Sequence, residues 1–478
     1  MNAVSAPPAA QHAEVLRGVF AAQRSAFERV PYPALAERDR RLAALQRMLL
    51  EHADAIAAAV SRDFGNRSIH ETRLLELFPS LEAIKHARRH LRRWMKPQRR
   101  RTSLWFLPGR SSVIAQPLGV VGVIVPWNYP IYLAIGPLAG ALAAGNRAMV
   151  KMSELTPVTA ELVDRLVRSY FAPDEVTIVT GDVDVARAFS GLPFDHLLFT
   201  GSTPVGRSVM RAAAENLTPV TLELGGKSPA IVGPDYPVAS AADRIVIGKL
   251  MNAGQTCIAP DYVLVPRARV AEFVTAAKSV AAIAYPDPMR SPDYTSIVNA
   301  RNFARLIGYI DEATGRGAEA VTLAPAGAAP DPATRRIPPT LLLDVPDDCR
   351  VMHDEIFGPL LPIVAYDAFD AALAYVNARP RPLALYLFER DNRRIDRVLT
   401  GCVAGGVTIN DTILHIAQDD LPFGGVGPSG MGHYHGREGF LTFSKAKGVF
   451  RQSRFNTMGL FKPPYGKTFE RLVSFLLR

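Results

Sequence analysis

Apolar positions in the first hundred residues recur three and four apart between charges, as in Leu42, Leu45, Met48, Leu49 and Ile56. That spacing predicts a helical opening over 9–101. Past residue 110 the period changes. Short apolar runs predict strands over 113–115, 120–125 and 148–151, with a helix over 133–144 between the last two. Helices over 159–170, 184–189 and 205–216 then alternate with strands over 176–179, 196–199 and 220–223. A second alternating block starts near Pro229 and contains helices over 239–253 and 270–282 and a strand over 262–265. It runs past residue 400, interrupted by a Pro- and Ala-rich surface loop over 324–339 that leads into a strand over 340–343. Strands alternating with helices build parallel sheets covered on both faces, so the expected fold is α/β with two doubly wound lobes. At the far end, Phe469, Leu472, Val473 and Leu476 share one helical face. This tail is too short for the ~20 residues a spanning helix needs. It is expected to dock on the chain's own surface or on a partner subunit.

Composition narrows the class. At 478 residues the chain exceeds one core, and 48% hydrophobic with 21% charged residues excludes a disordered or coiled-coil protein. Its three cysteines, Cys257, Cys349 and Cys402, lie far apart, which excludes a disulfide scaffold or a CxxC metal pattern and makes a reduced, cytoplasmic setting the expectation. No metal is expected. The net charge of +10 invites an anionic partner, but nine of the cations lie within 85–101, leaving +1 for the rest. A solvated helix face running into an Arg-rich linker explains them, with phosphate or lipid contact as the alternative. No zinc-finger spacing, RNA-recognition sequence or zipper accompanies them, so nucleic acid is not an expected partner. MNAVSAPPAAQHAEVL has no cation ahead of an apolar core and does not read as a secretory signal. The uncharged stretch 111–146 is broken by four prolines and five glycines, so it reads as buried strand, turn and helix, not as a lipid-facing span.

Chemistry concentrates in a few segments. Cys257, in NAGQTCIAP, follows a predicted helix among small and polar residues; it is either a nucleophile or a plain buried thiol. Cys349 lies beside acids and Cys402 in a Gly-rich turn, and neither competes strongly. Glu223 ends a strand that opens into Gly225 and Gly226, where a partly desolvated carboxylate could take a proton from water; a surface carboxylate is the alternative. Asn128, held between Pro126 and Pro130 after a strand, offers a fixed amide donor for an oxyanion, or else local turn bonding. FTGSTPVG at 199–206 opens a helix after a strand, with Gly201, Ser202 and Gly206 small enough for backbone N–H groups to meet a pyrophosphate. Lys151 and Glu154 could meet a nucleotide ribose, and an acid there tilts the choice to NAD over NADP.

Seven motifs together resemble the aldehyde dehydrogenase superfamily: PWNYP at 126–130, KMSE at 151–154, FTGSTPVG, LELGGK at 222–227, GQTC at 254–257, EIFGP at 355–359 and LPFGGVGPSGMG at 421–432. They run in the family's order, with its separation of 34 between Glu223 and Cys257. APDYVLVP at 259–266 and YHG at 434–436 look like its class 3 branch, and 410–439 like that branch's bacterial coniferyl type. The resemblance implies Cys257 as nucleophile, Glu223 as base and Asn128 as oxyanion donor. It implies cofactor contacts from Lys151, Glu154, Gly201, Ser202, Gly206 and Trp127, and from Glu355 and Phe357 on the nicotinamide side. It further implies a cofactor domain over 1–98 and 118–224, a catalytic domain over 225–430, a small β oligomerisation arm over 99–117 and 431–460, a tail helix over 461–478, and a homodimer. NAD is the expected cofactor, with NADP possible; Met152, where the branch often has proline, loosens that preference.

The implied reaction oxidises an aldehyde to an acid, with coniferaldehyde or a related aromatic as substrate and Trp127, Tyr129, Tyr132 and Phe357 lining an aromatic-friendly channel. A medium- or long-chain aliphatic or general aldehyde dehydrogenase of the same branch is the alternative. Acyl transfer to coenzyme A is disfavoured by Glu223, and an inactive basic surface-binding protein by the intact Cys257, Glu223 and Asn128 set. His433 and His435, within GHYHG, are expected to be solvated or capping, with contact to substrate or tail as the alternative.

Overall fold

A computed structural model describes residues 9–456 and 458–477. Two parallel sheets and a small antiparallel one organise them. The first sheet orders its strands as Gly430–Met431, Val220–Glu223, His196–Thr200, Val120–Ile124, Arg147–Lys151 and Val176–Val179, all parallel except the first. From the central strand Val120–Ile124 the chain fills one side and then returns to fill the other, so the order reverses beside that strand. The carboxyl end of such a switch point is where doubly wound folds bind ligands. One face of the sheet packs on Leu16 and Phe20 of the first helix, Ala9–Arg29, and on Phe189 and Val209; the other packs on the helices Tyr132–Ala144 and Pro157–Tyr170, joined by Leu35–Glu51, Ala53–Phe64 and Phe78–Trp94.

The second sheet runs Glu319–Thr322, Thr340–Leu343, Leu360–Tyr366, Tyr262–Pro266, Pro229–Val232, Ala384–Phe388 and Gly406–Ile409, antiparallel only at its first pair. The two lobes expected from the alternation are therefore present. The arm pairs Gln98–Arg100 and Ser444–Arg451 with the two edges of Arg110–Pro117. Part of the 431–460 stretch expected in the arm lies elsewhere. Gly430–Met431 completes the first sheet, and the helix Gly436–Thr442 packs on Tyr132–Ala144 and Phe78–Trp94, because its apolar Phe440 finds Trp94 at 5.5 Å.

The helix Phe78–Trp94 turns Ile84, Ala87, Leu91 and Trp94 inward, while Arg89, Arg92 and Arg93 face solvent and Arg88 pairs with Asp39 at 2.8 Å. The helical part of the basic run is thus a solvated face, as its spacing suggested, whereas the expected linker carries the strand Gln98–Arg100. The tail forms the helix Lys467–Leu476 and touches the arm through Phe475 against Trp105. No helix among the described residues is long and apolar enough to cross a membrane. The expected helix over 239–253 ends at Leu250 instead, because Asn252, Ala253 and Gly254 all take left-handed backbone conformations. That departure shapes the site.

Candidate active site

Strand carboxyl ends bring the candidate residues together. Glu223 closes its strand and is 2% exposed, which removes the surface alternative. Lys151 closes Arg147–Lys151, and Gly201 follows His196–Thr200, its N–H donating to the Glu223 carbonyl at 3.0 Å. Asn128 follows Val120–Ile124 and is buried; its Nδ2 donates to the Gln255 carbonyl at 3.2 Å. An amide nitrogen carries two hydrogens, so one remains for an oxyanion. Asn128 is therefore tied to the cysteine loop and is not merely closing its own turn.

The cysteine loop is built by strain. Asn252 tolerates φ 53 because its short amide bonds locally, whereas Ala253 at φ 51 is held there by its surroundings. A Cβ on Gly254, at φ 75, would come within 2.2 Å of the Gly358 carbonyl. Gly254→Ala is expected to cost about 3 kcal/mol or more, read as a lowered denaturant midpoint. Gln255, buried, donates to the Asn252 and Ser296 carbonyls at 3.0 and 3.1 Å and accepts from the Val298 N–H. Tyr129 Oη meets Thr256 Oγ1 at 2.6 Å, and Tyr386 bonds the Ile258 carbonyl. Cys257 is thereby pinned from both sides.

Three acidic protons share this buried site. Burial pushes the Cys257 thiol up to about 12, with the Glu355 and Glu223 carboxylates adding to the shift and the N–H groups of Cys257 and Ile258 opposing it. Burial alone holds Glu223 well above the carboxylate range, and neither of its oxygens has a hydrogen-bond partner. Burial raises Glu355 to about 8, helped by Asp261 and opposed by the Gly226 N–H. Its carboxylate lies over Gly225, where a Cβ would fall 2.0 Å from Oε2. A thiol and a carboxylate that both disfavour charge suit proton transfer between them, and a carboxylate without partners is free to take a proton from water.

Cys257 opens on a cavity of about 560 Å³ lined by Leu74, Phe78, Ile247, Met251, Ile413 and Leu414, with Tyr129 and Tyr132 on its wall. Trp127 and Phe357, expected there as well, do not line it; they pack on each other at 5.3 Å. Aliphatic side chains supply most of the apolar wall instead. Cys349 and Cys402 are buried and away from this cavity. His433 is half exposed, but His435 is buried against Phe423 at 5.1 Å with Tyr132 Oη at 3.2 Å; it stands at the N-cap of Gly436–Thr442 without a capping side-chain bond, so of its expected roles the solvated one is wrong and only the cap position is kept. The alternation around GHYHG gave no sign that the chain turns inward there, at φ 112 for His435.

Toward the switch point, the residues fit a dinucleotide. The helix Thr203–Ala214 begins at Ser202 with no side-chain cap, which leaves its first N–H groups for an anion. A Cβ at Gly201 would strike the Phe199 ring at 2.5 Å, and one at Gly206 would meet Leu224 at 2.7 Å, so close packing against these side chains requires glycine at both positions. Lys151 Nζ, buried, donates to the Met152 carbonyl at 2.7 Å and stands 3.7 Å from the carboxylate of exposed Glu154, a pair suited to ribose hydroxyls. Among the described residues no cluster of His, Cys, Asp or Glu could hold a metal ion.

Sequence reasoning passed over Arg67, Glu71 and Glu76, three charges in what read as an ordinary helical opening. Arg67 Nη1 donates to Glu76 Oε1 and to the Asn128 carbonyl, both at 2.9 Å. Glu76 Oε2 accepts the Ile131 N–H at 2.7 Å and that of Tyr132 at 3.2 Å. Glu71 accepts from the Asn252 N–H at 3.0 Å and from Thr295 Oγ1 at 3.1 Å. Nothing in the local pattern set them apart from solvated charges.

Comparison with known proteins agrees with this geometry. The family model described as "Aldehyde dehydrogenase family" matches residues 2–449. The chain is 57% identical over 463 residues to a "Probable coniferyl aldehyde dehydrogenase" of Pseudomonas aeruginosa, covering 97% of this chain and 96% of that one. It is 50% identical over 446 residues to the "Coniferyl aldehyde dehydrogenase" of Pseudomonas sp. strain HR199, covering 93% and 91%. A solved Mycobacterium tuberculosis aldehyde dehydrogenase complexed with NAD+ superposes with a TM-score of 0.83 at 30% identity, covering 93% of this chain and 92% of that one. With its α/β lobes, its cysteine loop and its full-length relatives, this chain belongs to the aldehyde dehydrogenase family.

Proposed function

We propose that this aldehyde dehydrogenase oxidises coniferaldehyde or a related aromatic aldehyde to its acid, using NAD. The observation that carries the chemistry is the placing of Cys257 on the cavity wall, with buried Asn128 tied to its loop through the Gln255 carbonyl and the buried Glu223 carboxylate close enough to act on its thiol. As Cys257 Sγ bonds the aldehyde carbon, its proton passes to a neighbouring carboxylate and the carbonyl oxygen becomes an oxyanion. The free N–H of the Asn128 amide and the Cys257 backbone N–H face that charge in a site with little water, where such donors act most strongly. The bound dinucleotide supplies the acceptor for the hydride that leaves this carbon, giving a thioester on Cys257. Glu223 then takes a proton from water as the water attacks the thioester, and the acid departs with the thiol restored.

Lys151 and Glu154 hold the ribose, Gly201, Ser202 and Gly206 face the pyrophosphate, and Glu355 with the Trp127–Phe357 pair borders the nicotinamide side. Residues 1–98 and 118–224 serve as the cofactor domain and 225–430 as the catalytic one, while the arm strands pair with a second subunit in a cytoplasmic homodimer. The cavity volume falls within the range of small-molecule sites and accommodates a phenylpropenoid, and two tyrosine rings on its wall suit an aromatic partner. The names of the two pseudomonad relatives support the same substrate.

Steady-state rates test the choice. We expect kcat/KM for coniferaldehyde to exceed those for hexanal and benzaldehyde by roughly tenfold or more, the span that pocket fit supplies, with NAD preferred to NADP. Equal efficiencies would sink the aromatic assignment and leave the reaction class standing.

A further inference from the structure

The reading of Asn128 and Cys257 as the two oxyanion donors raises a physical problem, since they sit on different lobes and must meet one oxygen atom together. We infer that Asn252 is a positioning residue that fixes the two donors against each other, and that Glu71 holds Asn252 in place. The inference rests on the proposed role of Asn128 and goes beyond it.

The contacts form a closed chain. Asn252 Nδ2 donates to the Asn128 carbonyl and to the Gln255 carbonyl, both at 3.1 Å. Asn128 Nδ2 returns to the same Gln255 carbonyl at 3.2 Å. Asn252 thus ties the backbone of the Asn128 turn to the backbone of the Cys257 loop through one buried amide. Arg67 Nη1 braces the Asn128 carbonyl from the other side at 2.9 Å. The Asn252 backbone N–H ends on Glu71 Oε2 at 3.0 Å, which holds the left-handed segment in register.

Backbone geometry makes this bracing possible. In a regular α-helix Glu71 and Glu76, five positions apart, would be turned about 140° from each other. The intervening Arg73–Leu77 is instead a π-helical turn, whose bonds join residues five apart. Both carboxylates therefore reach the same wall, Glu71 the cysteine loop and Glu76 the start of Tyr132–Ala144. A rare helical form is retained where it aims two acids, Glu76 buried and Glu71 partly buried, at the site.

Asn252→Gly is the cleanest test, because glycine accepts φ 53 without strain and only the bridging amide is lost. We expect kcat to fall roughly 10- to 30-fold, as misplacement of reacting groups by a fraction of an ångström does, while KM for NAD changes less than about twofold. In an Asn128→Ala background the same substitution should lower kcat less than about threefold, since the donor it positions is gone. Glu71→Ala should reproduce part of the loss and Glu71→Gln, which keeps an acceptor, should restore it. These Glu71 variants decide the matter if the glycine variant fails to fold. An Asn252→Gly enzyme within twofold of wild type, or one whose loss persists in full beside Asn128→Ala, would overturn the inference while leaving the reaction intact. Full activity in Asn128→Ala alone would overturn the oxyanion assignment and this inference with it.

Discussion

Cys257→Ala is expected to lower kcat for aldehyde oxidation by about 10⁴-fold or more, the usual consequence of removing a covalent nucleophile whose partners cannot act alone. Alanine deletes one sulfur from a half-buried position at the cavity floor, so the fold should survive and the melting temperature should move little. The loss must therefore appear in kcat while the dinucleotide still binds. Cys349 and Cys402 offer no substitute, being buried away from the cavity with thiols raised by burial. The same environment sets the pH profile. With the thiol pushed up to about 12, the free enzyme is in the thiol form at neutral pH, and the proton must leave during attack. Rising pH favours that departure, so kcat/KM should climb from pH 6 to pH 9 and show no acid optimum. A Cys257→Ala enzyme retaining a tenth of wild-type turnover would refute the covalent route.

The chain advertises its chemistry far better than the scaffolding that holds it. Strand–helix alternation is legible because a doubly wound sheet needs apolar strands and one-sided helices, and both lobes appear where the pattern put them. Cys257, Glu223 and Asn128 stand out because each breaks the local pattern at a strand or helix end. The left-handed run at Asn252, Ala253 and Gly254 is hidden, because an Asn-Ala-Gly sequence fits a continuing helix as well as its termination. Arg67, Glu71 and Glu76 are hidden for a different reason. Charges in a helical segment read as a solvated face, and the distant partners that hold these three lie between 55 and 224 residues away in sequence. The channel wall misled in a third way: Trp127 and Phe357 are aromatic and close to the site, but they satisfy each other. Side-chain type locates chemistry, whereas burial depends on contacts that only the folded chain defines.

Glu223→Gln should separate the two half-reactions. Glutamine keeps the shape of the side chain but cannot take a proton from water, so the thioester on Cys257 should form and then hydrolyse slowly. We expect a burst of reduced dinucleotide equal to one per active site, followed by a steady rate lowered about 10²- to 10³-fold, the scale of a lost general base. Rapid mixing detects the burst and mass spectrometry the acyl adduct. Loss of the burst as well would place Glu223 in the acylation step, as the acceptor of the thiol proton. Stability should move the opposite way. The folded protein disfavours the charged form of Glu223, so its folded pKa lies well above its unfolded one. Such a group contributes stability below the unfolded pKa and loses it as pH rises toward the folded pKa. At pH 7 the wild type bears that penalty and the glutamine variant does not. The variant should melt at a higher temperature than wild type near neutral pH, with the difference shrinking toward pH 4. A buried carboxylate with no partner is a liability to the fold, and the proposed role as base to water would account for its retention.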